Sequence, residues 1–281
     1  VLYGTEEQKK KYLPKLVTGE LVSAIAMTEP GVGSDLQSIT TTALKDGNGY
    51  KINGAKTYIS NGQTADFIIV VAKTDPNERA KGISLMLLET EGADGFQRGK
   101  KLDKIGLDAA DTSELFFDDV FVPAENVLGG VEGRGFYQLM GELPQERLII
   151  AMGAMTGIEK ALETTMEFVK DRKAFGQTIW DFQNTQFVMA DLKARGTAAR
   201  VFVNDCIARH LKGELDVATA CMAKYWVTEL QGEVVDKCLQ FHGGAGFIND
   251  YPIARMYRDS RITRIFGGSN EVMKMVIARS M

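Results

Sequence analysis

The sequence of 281 residues has only two histidines, His210 and His242, and three cysteines, Cys206, Cys221 and Cys238. Two histidines exclude a His-rich metal centre or a metalloprotease helix. The cysteines form no C-x-x-C pair, so they are predicted to be buried thiols of a reducing compartment, with no metal or disulfide role. Basic excess is absent too: 33 basic and 37 acidic side chains give a formal net charge of −4. That balance argues against a nucleic-acid partner, which selects for clustered positive charge. No apolar run approaches the roughly 18 residues of a membrane span. No secretory leader pattern is visible. The chain opens at Val1 with a Lys-rich helical stretch ending at Pro14, and reads as if cut from something longer.

What is present is enough apolar material for a substantial core, 44% of the residues, in one large domain or two ordinary ones. Residues 1–20 read as the end of a helix plus a turn. From about 21 to 130 the pattern is β-rich, with runs at Ser23–Met27, Gly49–Ser60, Phe67–Lys73, Ile83–Glu89 and Glu114–Val122. Asn53-Gly54, flanked by Tyr50-Lys51-Ile52 and Lys56-Thr57-Tyr58-Ile59, is a hairpin signal. With no long helix between the strands, the spacing predicts an antiparallel sandwich or barrel. From 131 to 281 the sequence is helical. Val188, Leu192, Ala199, Val203 and Cys206 share one helix face, and apolar stripes also run through 145–170, 217–241 and 269–279. Pro144 falls inside the first of these helices and predicts a kink there. The predicted fold class is α+β: a β-sandwich or barrel-like domain, then a four-helix bundle.

Several stretches are candidates for chemistry. Met27-Thr28-Glu29-Pro30-Gly31-Val32-Gly33-Ser34-Asp35 is a Gly- and Pro-containing loop after a strand, able to approach a flat or anionic ligand closely, or simply a turn. Tyr58-Ile59-Ser60-Asn61-Gly62 reads as a strand ending in an Asn-Gly turn. Arg172-Lys173-Ala174-Phe175-Gly176 reads as a basic helix end capped by Gly176, with Gln183 seven residues on. Gln240-Phe241-His242-Gly243-Gly244-Ala245-Gly246-Phe247 has three glycines in four positions, but it follows a helix, so it fails the dinucleotide fingerprint of strand, glycines and helix. His242 reads as a packed or capping histidine. Ile265-Phe266-Gly267-Gly268-Ser269-Asn270-Glu271 leads into the last helix, with Ser269 or Asn270 as N-cap. Glu142-Leu143-Pro144-Gln145-Glu146-Arg147-Leu148 places acidic residues on a bundle helix, where Glu146 could equally pair with Arg147 or Lys160 in solvent.

Together these motifs, in this order, resemble the acyl-CoA dehydrogenase family from about residue 5 to 281. The resemblance implies FAD as cofactor and α,β-dehydrogenation of an acyl thioester. It implies that Met27, Thr28, Tyr58 and Ser60 border the flavin ring. Arg172, Phe175, Gln183, Gln240, Gly243, Gly244, Ser269 and Glu271 would serve the rest of the cofactor, with Arg172 and Gln240 completing a neighbour's site in a homotetramer. Ser34, Arg147 and Gly268 would meet the acyl-CoA. Many relatives carry the catalytic glutamate where this chain has Gly267, which cannot be a base. Long-chain and isovaleryl-type relatives instead carry it on a bundle helix directly before Arg-Leu, which implies Glu146 here. Ala218–Trp226 and Glu229-Leu230-Gln231 also resemble the long-chain group. Electron-transferring flavoprotein is the implied electron acceptor, and a mitochondrial matrix or bacterial cytoplasm the implied location. An acyl-CoA oxidase, or a catalytically silent flavoprotein that acts as a binding partner, are the alternatives. The family has an all-helical N-terminal domain, of which only the last piece is expected here.

Overall fold

The computed structural model describes all 281 residues. They form two compact units: residues 1–104 with 108–141, and residues 105–107 with 142–281.

The first unit opens with helix α1, Glu6–Thr18. Thr5 and Gln8 close a reciprocal capping box at its start, satisfying donors that the helix itself leaves open. The helix does not end at Pro14. It continues to Thr18 and stops at Gly19, whose left-handed backbone favours glycine. Tyr12 is buried against Phe67 at 4.4 Å between ring centroids. Gln8 donates to the carbonyls of Glu125 and Val127, both at 2.7 Å. This helix is therefore packed into the β-rich unit.

Seven strands follow: β1 Ser23–Ala26, β2 Thr42–Asp46, β3 Gly49–Ser60, β4 Phe67–Lys73, β5 Ile83–Glu89, β6 Phe96–Lys101 and β7 Thr112–Pro123. They make one curled sheet in the order β1-β4-β2-β3-β7-β6, with β5 beside β4. The expected all-antiparallel arrangement is corrected: β1 runs parallel to β4, and β2 meets β4 in parallel at Thr42 and Lys73. Between β1 and β4 the chain passes through the Met27–Thr41 excursion and the β2–β3 hairpin, so the parallel pair is joined without an α-helical crossover. The hairpin at Asn53-Gly54 is also absent. β3 runs through that dipeptide with a bulge between Ile52 and Gly54, and the real two-residue turn is Gly47-Asn48, joining Asp46 to Gly49. Gly54 has φ +147°, and a Cβ there would press on Thr41, so the glycine serves a close approach at a bulge. Ala26, Ile52, Ile68, Val70, Met86, Leu115 and Val120 fill the core of the sheet.

The second unit is helical. Helix α2 spans Gly135–Asp171, its first turns up to Gly141 belonging to the first unit. Pro144 lies inside it and the helix continues past it to Asp171. Helices α3, Gln183–Leu211, and α4, Val217–His242, are also long, while α5, Pro252–Ser260, and α6, Asn270–Arg279, are short. Leu192, Ala199, Val203 and Cys206 of α3 are fully buried with Met155 and Ile158 of α2 and Val227 and Val234 of α4, as the apolar stripes predict. Cys206, Cys221 and Cys238 are buried free thiols, the first and last of them inside this core. No helix is long and apolar enough to cross a membrane.

The segment after α2 differs from expectation. Gly176 does not cap that helix. Lys173–Ala174 (β8) and Gln177–Thr178 (β9) pair as a tiny hairpin, whose turn is Phe175-Gly176 with φ values of +54° and +81°. Two successive positive φ angles match the twist of a tight hairpin. The ring of Phe175 is left 95% exposed.

Candidate active site

In the first unit, two stretches quoted above are tied together by one buried ion pair. Lys56 on β3 and Glu29 in the loop after β1 are buried, with Nζ to Oε1 at 3.0 Å. Lys56 Nζ also donates to the Met27 carbonyl at 2.9 Å. Glu29 further accepts from the Thr40 amide and hydroxyl, at 2.7 and 2.8 Å, and from the Thr41 amide at 2.9 Å. Burial alone would raise the Glu29 pKa, but the Lys56 ammonium and these donors outweigh it and hold the carboxyl well below its ordinary value. The Thr57 amide donates to the Thr28 carbonyl at 2.9 Å. Met27 and Thr28 are thus fixed beside the strand that carries Tyr58 and Ser60.

Tyr58 stands in the left-handed region, φ +60°, and so does Asn61. A bulky residue there is strained, and strain of this kind concentrates at ligand sites. The strain sits where the ladder to β7 shifts register between Lys56 and Ile59. It turns the Tyr58 ring outward, 68% exposed, while Ile59 is buried and Ser60 exposed. An outward aromatic beside an open hydroxyl and a rigid loop fits one face of a planar ring system such as isoalloxazine. Ser34 is exposed on the same loop.

In the second unit, Glu146 and Ile150 lie one turn apart on α2. A Cβ added to Gly267 would collide with Ile150 Cδ1. The Gly267-Gly268 turn therefore rests on the α2 face that carries Glu146. Gly267 and Gly268 have φ +62° and +86°, and neither amide donates to a protein acceptor. Glu146 as a whole residue is exposed, yet partial desolvation raises its carboxyl pKa. Arg147 opposes that and Glu142 adds to it.

Beside the turn are two buried cations. Arg147 is 5% exposed. Its Nη1 donates to Cys221 Sγ at 3.2 Å and its Nε has no partner. Lys224 of α4 is fully buried, with Nζ donating to the Gly268 carbonyl at 2.7 Å and to Asn270 Oδ1 at 2.9 Å. Neither cation is within ion-pair distance of a carboxylate, which is rare for buried charge. Ser269 caps α6, its Oγ accepting from Val272 N at 3.4 Å. Glu271 sits exposed in the first turn of α6.

The remaining candidates gather elsewhere in this unit. Phe168 near the end of α2 stacks on the buried His242 at 4.2 Å, so α2 and α4 finish together and α3 starts at that end. His242 Nδ1 bonds the Cys238 carbonyl at 2.9 Å, and burial lowers its pKa, which fits a packed histidine. Arg172, Phe175, Gln183, Gln240, Gly243 and Gly244 are all exposed at this end. Open space surrounds both glycines. Ile150 and Lys224 are each eighteen residues back along their helices, or about 27 Å at 1.5 Å per residue. Within one chain the structure therefore brings Glu146, Arg147, Gly267, Gly268, Ser269 and Glu271 into one neighbourhood and leaves this second set far from it.

Sequence reading missed the roles of Lys56, Ile150, Cys221 and Lys224. A lysine in the apolar stripe of α4, flanked by Cys221, Ala223 and Val227, was the available signal for Lys224.

The family model for the acyl-CoA dehydrogenase C-terminal domain matches residues 133–281, and that for the middle domain matches residues 24–120. The chain belongs to the acyl-CoA dehydrogenase family. It is 50% identical to the mitochondrial long-chain specific acyl-CoA dehydrogenase of Sus scrofa over 281 residues, 99% of this chain and 65% of the relative. It is 39% identical to the mitochondrial isovaleryl-CoA dehydrogenase of Solanum tuberosum, covering 99% of this chain and 67% of the relative. A crystal structure of an acyl-CoA dehydrogenase from Geobacillus kaustophilus superposes with a TM-score of 0.97 at 50% identity, over 99% of this chain and 73% of that one. A structure of PigA with FAD and proline superposes with a TM-score of 0.94 at 33% identity, over 99% and 72%. The chain thus spans about 65% of the length of the long-chain relative it matches.

Proposed function

We propose that this chain carries the flavin-ring platform and the proton-abstracting part of an FAD-dependent acyl-CoA dehydrogenase, with Glu146 as the base. The observation that carries the reading is the Gly267-Gly268 turn lying against the Ile150 side chain, one helical turn from Glu146. The place that lacks a carboxylate and the place that has one are on the same small surface.

An α C–H of a thioester is barely acidic, so its removal needs a polarised carbonyl and a positioned base. The two unbonded amides of Gly267 and Gly268 are suited to a thioester carbonyl. Glu146, raised by desolvation, is a stronger base than a solvated glutamate. Arg147, buried and short of acceptors, suits the anionic CoA portion, since its fixed fork of donors matches phosphate. Bound FAD would supply a hydride acceptor for the β hydrogen, which no side chain can provide. Met27, Thr28, Tyr58 and Ser60 would border the ring. Arg172, Phe175, Gln183, Gln240, Gly243 and Gly244, roughly 30 Å or more along the helices from the base in the same chain, would serve the cofactor of a neighbouring copy. A homotetramer, with electron-transferring flavoprotein as the electron acceptor, completes this reading.

For the substrate we favour a long-chain acyl-CoA, supported by the 50% identity to the pig enzyme. A branched short-chain acyl-CoA is the second reading, supported by the potato isovaleryl-CoA dehydrogenase. A mitochondrial matrix or bacterial cytoplasm suits either. The test is anaerobic flavin bleaching with palmitoyl-CoA and isovaleryl-CoA, on the full-length gene product and its Glu146→Gln variant. Bleaching of the wild type alone supports the reading, and the responding thioester selects the substrate class. Equal bleaching of the variant rejects Glu146 as the base.

A further inference from the structure

Lys224 is a costly side chain to keep beside the candidate base. Its ammonium is fully buried. Burial first, and the Arg147 guanidinium second, push its pKa down to about 8, with Glu229, Glu271 and Cys221 acting the other way. A charge in that state destabilises the fold relative to a neutral side chain of similar volume.

The ammonium is placed where a turn needs holding. Gly267 and Gly268 are both in left-handed backbone, and glycine is the residue with most conformational freedom to lose. No hydrogen bond from their amides anchors them. What anchors the turn is on its other side: the Gly268 carbonyl and the Asn270 side chain, both accepting from Lys224 Nζ. Asn270 is 1% exposed, and its Nδ2 donates onward to Thr228 Oγ1 at 3.1 Å and Glu229 Oε1 at 2.8 Å. Thr228 Oγ1 in turn donates to the Lys224 carbonyl at 2.8 Å. The loop of bonds closes on α4, so the rigid helix fixes the turn through one cation.

We propose that Lys224 is a positioning residue: by gripping the Gly268 carbonyl and Asn270 from α4, it holds the Gly267-Gly268 turn so that its free amides can meet the substrate carbonyl beside Glu146. The proposal rests on the dehydrogenase reading for the identity of that carbonyl, but the grip on the turn is independent of it. Charge-assisted bonds of this kind are roughly twice as strong as neutral ones. A misplacement of about 1 Å at a reacting centre can cost on the order of 100-fold in rate.

The test uses the full-length protein with Lys224→Met, which removes the donor and the charge, and Lys224→Gln, which keeps a donor without the charge. Peptide-resolved hydrogen exchange over residues 262–273, without substrate, reads the turn directly. Lys224→Met should speed exchange there about tenfold or more, with the α2 and α3 core peptides unchanged. Lys224→Gln should restore much of the protection. Anaerobic bleaching by palmitoyl-CoA should slow about 10- to 100-fold in Lys224→Met, with palmitoyl-CoA affinity changed far less, and should recover partly in Lys224→Gln. Unchanged exchange in 262–273, or loss of protection spread evenly over the helical unit, overturns the proposal. So does a bleaching rate equal to wild type in Lys224→Met. If wild type bleaches with no acyl-CoA, the dehydrogenase reading fails, while the exchange data still decide whether Lys224 holds the turn.

Discussion

The two units treat buried charge in opposite ways. In the β-rich unit Lys56 and Glu29 neutralise each other, and nearly every lone pair of Glu29 finds a donor. In the helical unit Arg147 and Lys224 are buried with a thiol, a carbonyl and an amide oxygen as acceptors, and no carboxylate at ion-pair distance. A compensated pair acts on the fold, because removing one partner leaves the other charge stranded. Of the two uncompensated cations, Lys224 uses its donors on the Gly268 carbonyl and Asn270, while Arg147 keeps an Nε without a partner and is disposed to meet negative charge that arrives with a ligand. The contrast separates a unit whose buried charges are matched within the fold from one whose buried charges are not, which is the division the proposed function uses.

The largest effect should come from Glu146→Gln. Loss of a general base lowers the bleaching rate about 10²- to 10⁴-fold, with the unfolding midpoint hardly moved, because Glu146 is exposed. Stopped-flow absorbance of the flavin and a thermal melt check both halves of the statement. The bleaching rate should also rise with pH through a Glu146 pKa that lies above the ordinary carboxylate value.

Next is Glu29→Gln, which should cost about 3–5 kcal/mol of stability by stranding the Lys56 charge, while Glu29→Leu combined with Lys56→Met should recover most of it. Urea unfolding of the three proteins decides this. A cost under 1 kcal/mol for the single change would remove the contrast between the units. The same pair carries a pH signature. The folded pKa of Glu29, about 2, lies below its ordinary 4.5. Its contribution is therefore fully present above about pH 4.5 and is lost as pH falls toward 2.

A smaller effect on stability is expected from Arg147→Met. Replacing a buried cation that has no carboxylate partner by an apolar side chain should leave stability unchanged or raise it, while acyl-CoA binding weakens. Isothermal titration with palmitoyl-CoA, paired with unfolding, reads both. Strong destabilisation would place Arg147 with Lys56 as a structural charge. Smallest of all is Arg200→Ala on the helical surface. Its ion pair with Glu159 is solvent-accessible, and exposed pairs are typically worth about 0–1 kcal/mol.

Much of this was legible in the sequence. Periodicity located five of the seven strands of the sheet within a few residues, the apolar stripes located the long helices, and Gly267 together with Glu146-Arg147-Leu148 gave the candidate base that the proposed function adopts. The failures have local causes. Asn53-Gly54 carries a hairpin signal, but a bulged strand also needs a residue free of a Cβ, and Gly54 answers the approach of Thr41. The next turn upstream, Gly47-Asn48, took the hairpin instead. The parallel pairing of β1 with β4 was invisible because an antiparallel hairpin, β2–β3, intervenes and no crossover helix announces it. Gly176 looked like a helix cap because a lone glycine after basic residues has that meaning in most contexts, while here Phe175 shares its left-handed backbone.

By itself the sequence determined the order of the motifs, the class of the longer elements and which position could not hold a base, because these depend on residue type and local spacing. Only the tertiary structure decided that Gly267 rests on Ile150, that Lys224 reaches Gly268 across 44 residues, and that the glycine-rich turn at 243–246 lies at the far end of the helices from Glu146. Those are contacts between elements, set by helix packing and the length of each helix, and no local pattern encodes them.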